Sequence, residues 1–254
     1  MEKDLNAASL CLLGETYLEQ RRYSEAIECF KMATRIKSDY IKAYEKLGAA
    51  YRVSGNHKKA IKYLKQAISL NPDSAEAYFN MGVSYGNLGH WNEAMESLKQ
   101  AINIKPDYAD AHHCLGTAYE KQDRTDAAIE SFKQVIRIQP NYADAHYNLG
   151  VAYRSQGRTD EAINSFEQAI RIKPNDAAAH CGLGAAYGNA GRHNEAIESS
   201  KRAIGIQPDL AQAHLNLGIA YLQLGDQNSA LEEYQVLKNL DKSRANKLFN
   251  FVYK

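Results

Sequence analysis

Apolar and polar positions along this chain follow a helical period, and they do so twice before the pattern begins again. From Ala143 to Asp176, apolar residues fall at Ala145, Leu149, Val151, Ala152 and Tyr153, then at Ala162, Ile163, Phe166, Ala169, Ile170 and Ile172. Spacings of three and four residues draw one apolar stripe along an α-helix, so two helices are predicted in this stretch. Between them lies Ser155-Gln156-Gly157-Arg158; glycine recurs in that register at Gly55, Gly89, Gly191 and Gly225, with Arg21 and Asp123 standing in for it elsewhere. A left-handed residue there closes the first helix. The second helix stops at a Pro-Asn or Pro-Asp step, because proline lacks an amide proton and biases its predecessor away from helical angles. The stretch reads as a helical hairpin.

That hairpin is copied in tandem. All five prolines, Pro72, Pro106, Pro140, Pro174 and Pro208, stand 34 residues apart, as do Gly14, Gly48, Gly82, Gly116, Gly150, Gly184 and Gly218. Seven repeats fit, at 7–40, 41–74, 75–108, 109–142, 143–176, 177–210 and 211–244, leaving an N-terminal extension at 1–6 and the end of a C-terminal capping helix at 245–254. In the tail, Ala245, Leu248, Phe249 and Val252 are spaced as one helix face that can cover the end of the stack. Nothing equivalent precedes the first repeat, so Leu10 and Leu13 are expected to stay partly uncovered. A fixed period of this length means that each repeat buries its apolar face on its neighbours, which predicts one elongated domain without a central core.

The small residues set the packing. Glycine inside a helix costs roughly 1 kcal/mol relative to alanine, so seven glycines at the eighth place call for close backbone approach. Alanine recurs at the twentieth place, from Ala26 to Ala230, and large residues at the twenty-fourth: Phe30, Leu64, Leu98, Phe132, Phe166 and Tyr234. The sixth repeat carries Ser200 there instead. Losing a large side chain from a packed layer costs about 2 to 5 kcal/mol, so a soft spot is expected at that residue.

A 34-residue repeat with L-G-x-x-Y, then Ala, Phe, Ala and Pro, as in Leu149, Gly150, Tyr153, Ala162, Phe166, Ala169 and Pro174, resembles the tetratricopeptide repeat over residues 7–244. The resemblance implies an all-α fold, a right-handed superhelical solenoid of antiparallel helix pairs in which the first helix of each pair lines a concave groove. By that pattern the second, fifth, sixth, ninth, twelfth and thirteenth places face inward. The fifth place then gives a mostly apolar track, Cys11, Glu45, Phe79, His113, Tyr147, Cys181 and Leu215, beside Lys46, Asn80, Cys114, Asn148, Gly182 and Asn216 at the sixth. Lys42 and Arg154 stand among the polar rims. The residues expected to hold a partner are Lys42, Glu45, Lys46, Phe79, Asn80, His113, Tyr147, Asn148, Arg154, Leu215 and Asn216. Aromatic rings supply area to bury and side-chain amides satisfy a peptide backbone, so the groove suits a protein or peptide segment. The lysine and asparagine clamp that some family members use for a C-terminal carboxylate is not matched at the ninth places, Glu15, Ala49, Val83, Thr117, Val151, Ala185 and Ile219. The asparagine ladder of the O-GlcNAc transferase repeats is matched only at alternate rungs, Asn80, Asn148 and Asn216.

Composition narrows the partners further. With 31 basic and 30 acidic residues the formal charge is +1, which supplies no field for a phosphate backbone and argues against nucleic acid. Met1-Glu2-Lys3-Asp4 is charged and no long apolar run follows, so neither a secretory signal nor membrane insertion is expected. Cys11, Cys29, Cys114 and Cys181 form no C-x-x-C pair, as expected of free thiols in a reducing, cytoplasmic setting. His112, His146, His180 and His214 share the 34-residue spacing. Equivalent atoms of adjacent repeats lie roughly 8 to 10 Å apart, too far to share one zinc, so these histidines read as packing residues in the place of Tyr44 and Tyr78. No metal, cofactor or catalytic residue is expected. The leading reading is a non-enzymatic adaptor or scaffold. Two alternatives stay open: a homo-oligomeric assembly scaffold of the kind that coats bacterial organelles, and the regulatory part of a larger enzyme.

Overall fold

A computed structural model of the chain describes residues 6–252, and every regular element among them is an α-helix. They come in pairs: α1 (Ala7–Glu19) with α2 (Tyr23–Ile36), α3 (Ile41–Val53) with α4 (His57–Leu70), α5 (Ala75–Asn87) with α6 (Trp91–Ile104), and α7 (Ala109–Glu120) with α8 (Thr125–Ile138). The series continues with α9 (Ala143–Ser155) and α10 (Thr159–Ile172), α11 (Ala177–Asn189) and α12 (His193–Ile206), α13 (Ala211–Gln223) and α14 (Gln227–Leu240), and ends on α15 (Lys242–Val252). The framework divides into two compact units, Met1–Ala127 and Ala128–Lys254, with the boundary inside α8. Residues 1–5 of the expected extension lie outside the described residues; Asn6 caps α1, its side chain accepting from the Ser9 amide at 2.8 Å.

Each hairpin turn is closed by the same hydrogen bonds. Gly55, Gly89, Gly157, Gly191 and Gly225 have φ between 72° and 80°, and Arg21 and Asp123 adopt the same region at 58° and 53°. The amide that follows each of them reaches back five residues to a tyrosine carbonyl, from Arg22 to Tyr17 at 2.8 Å through Asp226 to Tyr221 at 3.0 Å. A left-handed residue followed by this long bond satisfies carbonyls that the helix end would otherwise leave unpaired. Where the residue after the turn is arginine, its guanidinium also lies over that tyrosine ring, at 4.2 Å for Arg158 on Tyr153 and 4.4 Å for Arg192 on Tyr187. The histidines of the 34-residue series make a second link. Nε2 of His112, His146, His180 and His214 lies 2.9 to 3.0 Å from the carbonyl of Pro106, Pro140, Pro174 and Pro208. A carbonyl only accepts, so Nε2 carries the proton and ties each first helix to the loop before it.

In the first unit Phe30, Leu64 and Leu98 are fully buried against the helix glycines. A Cβ on Gly14 would stand 2.7 Å from the Phe30 ring, and one on Gly48 2.5 Å from Leu64. In the second unit the Phe166 ring sits between two glycines, with 2.9 Å left for a Cβ on Gly150 and 2.6 Å on Gly182 of the next repeat. Two packing details depart from the sequence reading. Leu10 is only 2 % exposed, since it joins the layer of Phe30 and Leu47, while Leu12 and Leu13 stay exposed. Leu248 of α15, not Tyr234, lies against Gly218, 2.5 Å from its Cβ position. Tyr234 is half-buried on Phe249 with ring centres 5.6 Å apart; a branched aliphatic chain fits that dry space, whereas a phenol hydroxyl needs a partner. Ala245 and Leu248 are buried, so α15 covers α13 and α14 with the face read from the sequence; Val252's side chain lies outside the described residues. At the expected soft spot Ser200 is wholly buried and its hydroxyl makes no hydrogen bond among the described residues, so the packed layer holds a polar atom where its neighbours hold rings or leucines.

Candidate functional site

The inner face of the first unit is built from α1, α3, α5 and α7, and several of its charges on the first three are paired with one another. Lys42 lies 3.0 Å from Glu15, whose carboxylate raises the lysine's pKa, and Lys46 lies between Glu15 at 3.9 Å and Glu76 at 3.5 Å. Glu45 accepts from the Ser74 hydroxyl. Asn80, nearly buried, accepts from Arg52 Nε at 2.7 Å and donates to the Glu76 carbonyl at 2.9 Å. Phe79 packs on Tyr108 with ring centres 4.9 Å apart. His113 lines a cavity of about 250 Å³ with Gly82, Gly86, Trp91, Leu98 and Thr117.

The inner face of the second unit holds two adjoining cavities. One, of about 450 Å³, has Gly184, Gly188, His193, Leu215 and Ile219 in its walls; the other, of about 400 Å³, has Tyr147, Val151, Phe166, Cys181 and Gly182. Arg154, Ala185, Gln212, Asn216 and Lys247 line both. The structure therefore places Tyr147, Arg154, Leu215 and Asn216 around the two adjoining cavities, with Arg154 and Asn216 common to both. Leu215 is mostly a core residue, 2 % exposed, and Asn148 is half-buried on α9. A chain of amides forms the floor: Arg244 Nε donates to Gln212 at 3.1 Å, Gln212 to Asn216 at 2.9 Å, and Asn216 to the Cys181 carbonyl at 3.1 Å. Burial pushes the thiols of Cys114 and Cys181 up to about 11, so both stay neutral at ordinary pH.

The cavity at His113 and the larger one at Leu215 occupy the same register of different repeats. Both form at the twelfth place of a first helix, which reads Leu18, Arg52, Gly86, Glu120, Arg154, Gly188 and Leu222. Only the third and sixth repeats have glycine there, and both glycines line a cavity, as Arg154 at the same place of the fifth repeat also does. Gly86 faces Trp91, whose ring comes within 3.4 Å of its Cβ position, while Gly188 faces open space. His193 stands where the third repeat has Trp91 and leaves more room; its buried Nδ1 has no hydrogen-bond partner. These two glycines, and Lys247 on α15, were not among the residues expected to form the site. The glycine signal was present in the sequence, as two breaks in an otherwise bulky column.

Residues 2–186 match the family model described as the C-terminal domain of cilia and flagella-associated protein 70, a tetratricopeptide-repeat (TPR) model, and residues 189–225 and 211–243 match TPR models. The chain belongs to this TPR family. Among solved structures, this TPR protein is similar to MamA, at 33 % identity over 65 % of this chain and 97 % of that one, with a TM-score of 0.61. It shares its fold with YrrB, a TPR protein described as having an unusual peptide-binding site, at 23 % identity over 74 % of this chain and 96 % of that one and a TM-score of 0.65. It also shares it with PilF of Pseudomonas aeruginosa, at 19 % identity over 83 % and 96 % of the two chains and a TM-score of 0.72. No curated protein sequence matches the chain. No helix among the described residues is long and apolar enough to cross a membrane.

Proposed function

We propose that this TPR chain is a non-enzymatic cytoplasmic adaptor whose first helices hold a segment of another protein. The observation that carries this reading is the pair of adjoining cavities on the second unit, walled by residues of α9, α11 and α13 that face the same way. Pockets that mix apolar walls with a few fixed polar groups are what a bound segment needs for area and orientation. Tyr147 gives a ring at one end, and the amides of Gln212 and Asn216 give fixed polar groups between. The likeness to YrrB supports the fold needed for this role. The test is affinity purification from the source cells with the natural chain and with Tyr147→Ala combined with Asn148→Ala, helicity being followed by circular dichroism. Loss of a partner at unchanged helicity is the expected result; equal recovery moves the binding face elsewhere.

A self-assembling scaffold is the second reading. It is favoured by apolar side chains left exposed near both chain ends: Leu12 and Ile36 in the first unit, Phe249 and Phe251 in the second. Light scattering across a concentration series decides it, since growth in mass without a partner is expected only of the scaffold.

A further inference from the structure

We infer that the second unit selects a segment in which one aspartate or glutamate is flanked on both sides by apolar residues, an inference that rests on the binding reading above. The wall shared by the two cavities carries Arg154 from α9 and Lys247 from α15. Among the described residues neither is in an ion pair or hydrogen bond, whereas two acids on or beside the same helices are already paired. Asp144, the acid on the inward side of α9, is held by Lys173 at 2.7 Å, and Asp241 is held by Arg244. Two cations without a counter-charge among the described residues thus line both cavities, and a carboxylate is the group that complements them.

On either side of that wall the lining mixes polar groups with apolar surface. Gly188 and Ile219 line one cavity, Tyr147 and Phe166 the other. A segment whose acidic side chain meets Arg154 and Lys247 would place its flanking side chains in the two depressions. The amide floor from Arg244 to Cys181 is already hydrogen-bonded, so it offers a fixed surface rather than one that must be ordered on binding. The first unit differs at its cavity: no arginine or lysine lines it, and on the neighbouring first helices Lys42 and Lys46 are paired with Glu15 and Glu76 while Arg52 is bonded to Asn80. The selected carboxylate belongs to a side chain in mid-segment, because a cavity with apolar side chains in its wall, Ile219 in one and Tyr147 and Phe166 in the other, lies on each side of the cations.

The probe is a set of acetylated and amidated nonapeptides, apolar at the positions flanking a central Glu, Gln or Lys, with binding read by fluorescence anisotropy at low and high salt. Blocked ends remove any terminal carboxylate. The Glu set is expected to bind about tenfold tighter than the Gln set, with the margin shrinking as salt rises. Arg154→Gln combined with Lys247→Gln should bring Glu and Gln to parity; both side chains are exposed, and a melting curve checks the fold. Gly188→Leu, which projects into open space, should weaken every peptide whatever its centre. Equal binding of Glu and Gln sets, with Gly188→Leu still weakening both, overturns the acid selection and leaves the binding face standing. A Glu preference that survives the double variant also overturns it. Binding indifferent to Gly188→Leu, or no binding by any set, overturns both readings.

Discussion

Ser200 offers a measurable consequence of the packing. Its side chain is fully buried in α12 and its hydroxyl has no protein partner, and leaving a buried donor and acceptor unpaired costs about 1 to 3 kcal/mol. Ser200→Ala deletes only that hydroxyl, opens a space of one oxygen, and places the better helix former in mid-helix. The whole of the desolvation cost should therefore be recovered. For a chain of this size about 1 kcal/mol moves the melting temperature by about 2 to 4 °C, so a rise of at least about 2 °C is expected in a thermal scan followed by circular dichroism. Ser165 is the matched control: it is nearly as buried, but its hydroxyl donates to the Glu161 carbonyl at 2.8 Å, so alanine there removes a satisfied group and should give no gain. Ser200→Phe asks the second half of the question. Phe166 fits over Gly150 in the repeat before, and Ser200 faces Gly184 in the same way, its Oγ 2.6 Å from the Cβ position. Burying a ring there should add about 1.5 to 3 kcal/mol. An unchanged or lowered melting temperature for Ser200→Ala, or one no higher than that of Ser165→Ala, refutes the unpaired-hydroxyl reasoning; the same result for Ser200→Phe refutes the soft spot.

Other consequences are simpler. Phe166→Ala should cost about 3 to 5 kcal/mol in chemical denaturation, because the ring is wholly buried between Gly150 and Gly182 and glycine cannot close the gap; a cost under 1 kcal/mol would contradict that packing. Arg21→Gly should raise stability by about 1 kcal/mol, since Arg21 holds a left-handed φ of 58° at an exposed turn where the other repeats mostly use glycine. Cys114 and Cys181, their thiols pushed up to about 11 from an ordinary 9.0, should alkylate about a hundredfold more slowly at pH 8 than in denaturant. Their rates should climb with pH until about 11, and fast labelling of the folded protein, read by mass spectrometry, would show them to be exposed.

The helices, their turns and their partners within each hairpin were legible because each is written by local chemistry repeated seven times. Gly157 and its counterparts mark the left-handed turn, Pro174 and its counterparts the stop, and Gly150 beside Phe166 the close approach. The site was legible only in part. Place in the repeat put Tyr147, Arg154 and Asn216 among the candidates, and all three line the same cavity. What place alone does not tell is which charges are already spent: Lys42 and Lys46 carry the same formal charge as Lys247, but Glu15 and Glu76 reach the first two. Nor does it tell where volume is missing, since the depression at Gly188 depends on what stands opposite it, a histidine here and Trp91 in the third repeat. The tail read as a cap because its apolar spacing was plain; that α15 also turns Lys247 toward the cavities depends on how the helix docks on α13.

The central claim is that partners are held by the first helices and not by the second. A photo-crosslinking amino acid placed at Asn189, at the edge of the larger cavity, or at Glu198, exposed on α12, tests it in the source cells. An adduct with a discrete partner from position 189, absent from position 198, is the result this account predicts; adducts from 198 with none from 189 would contradict it.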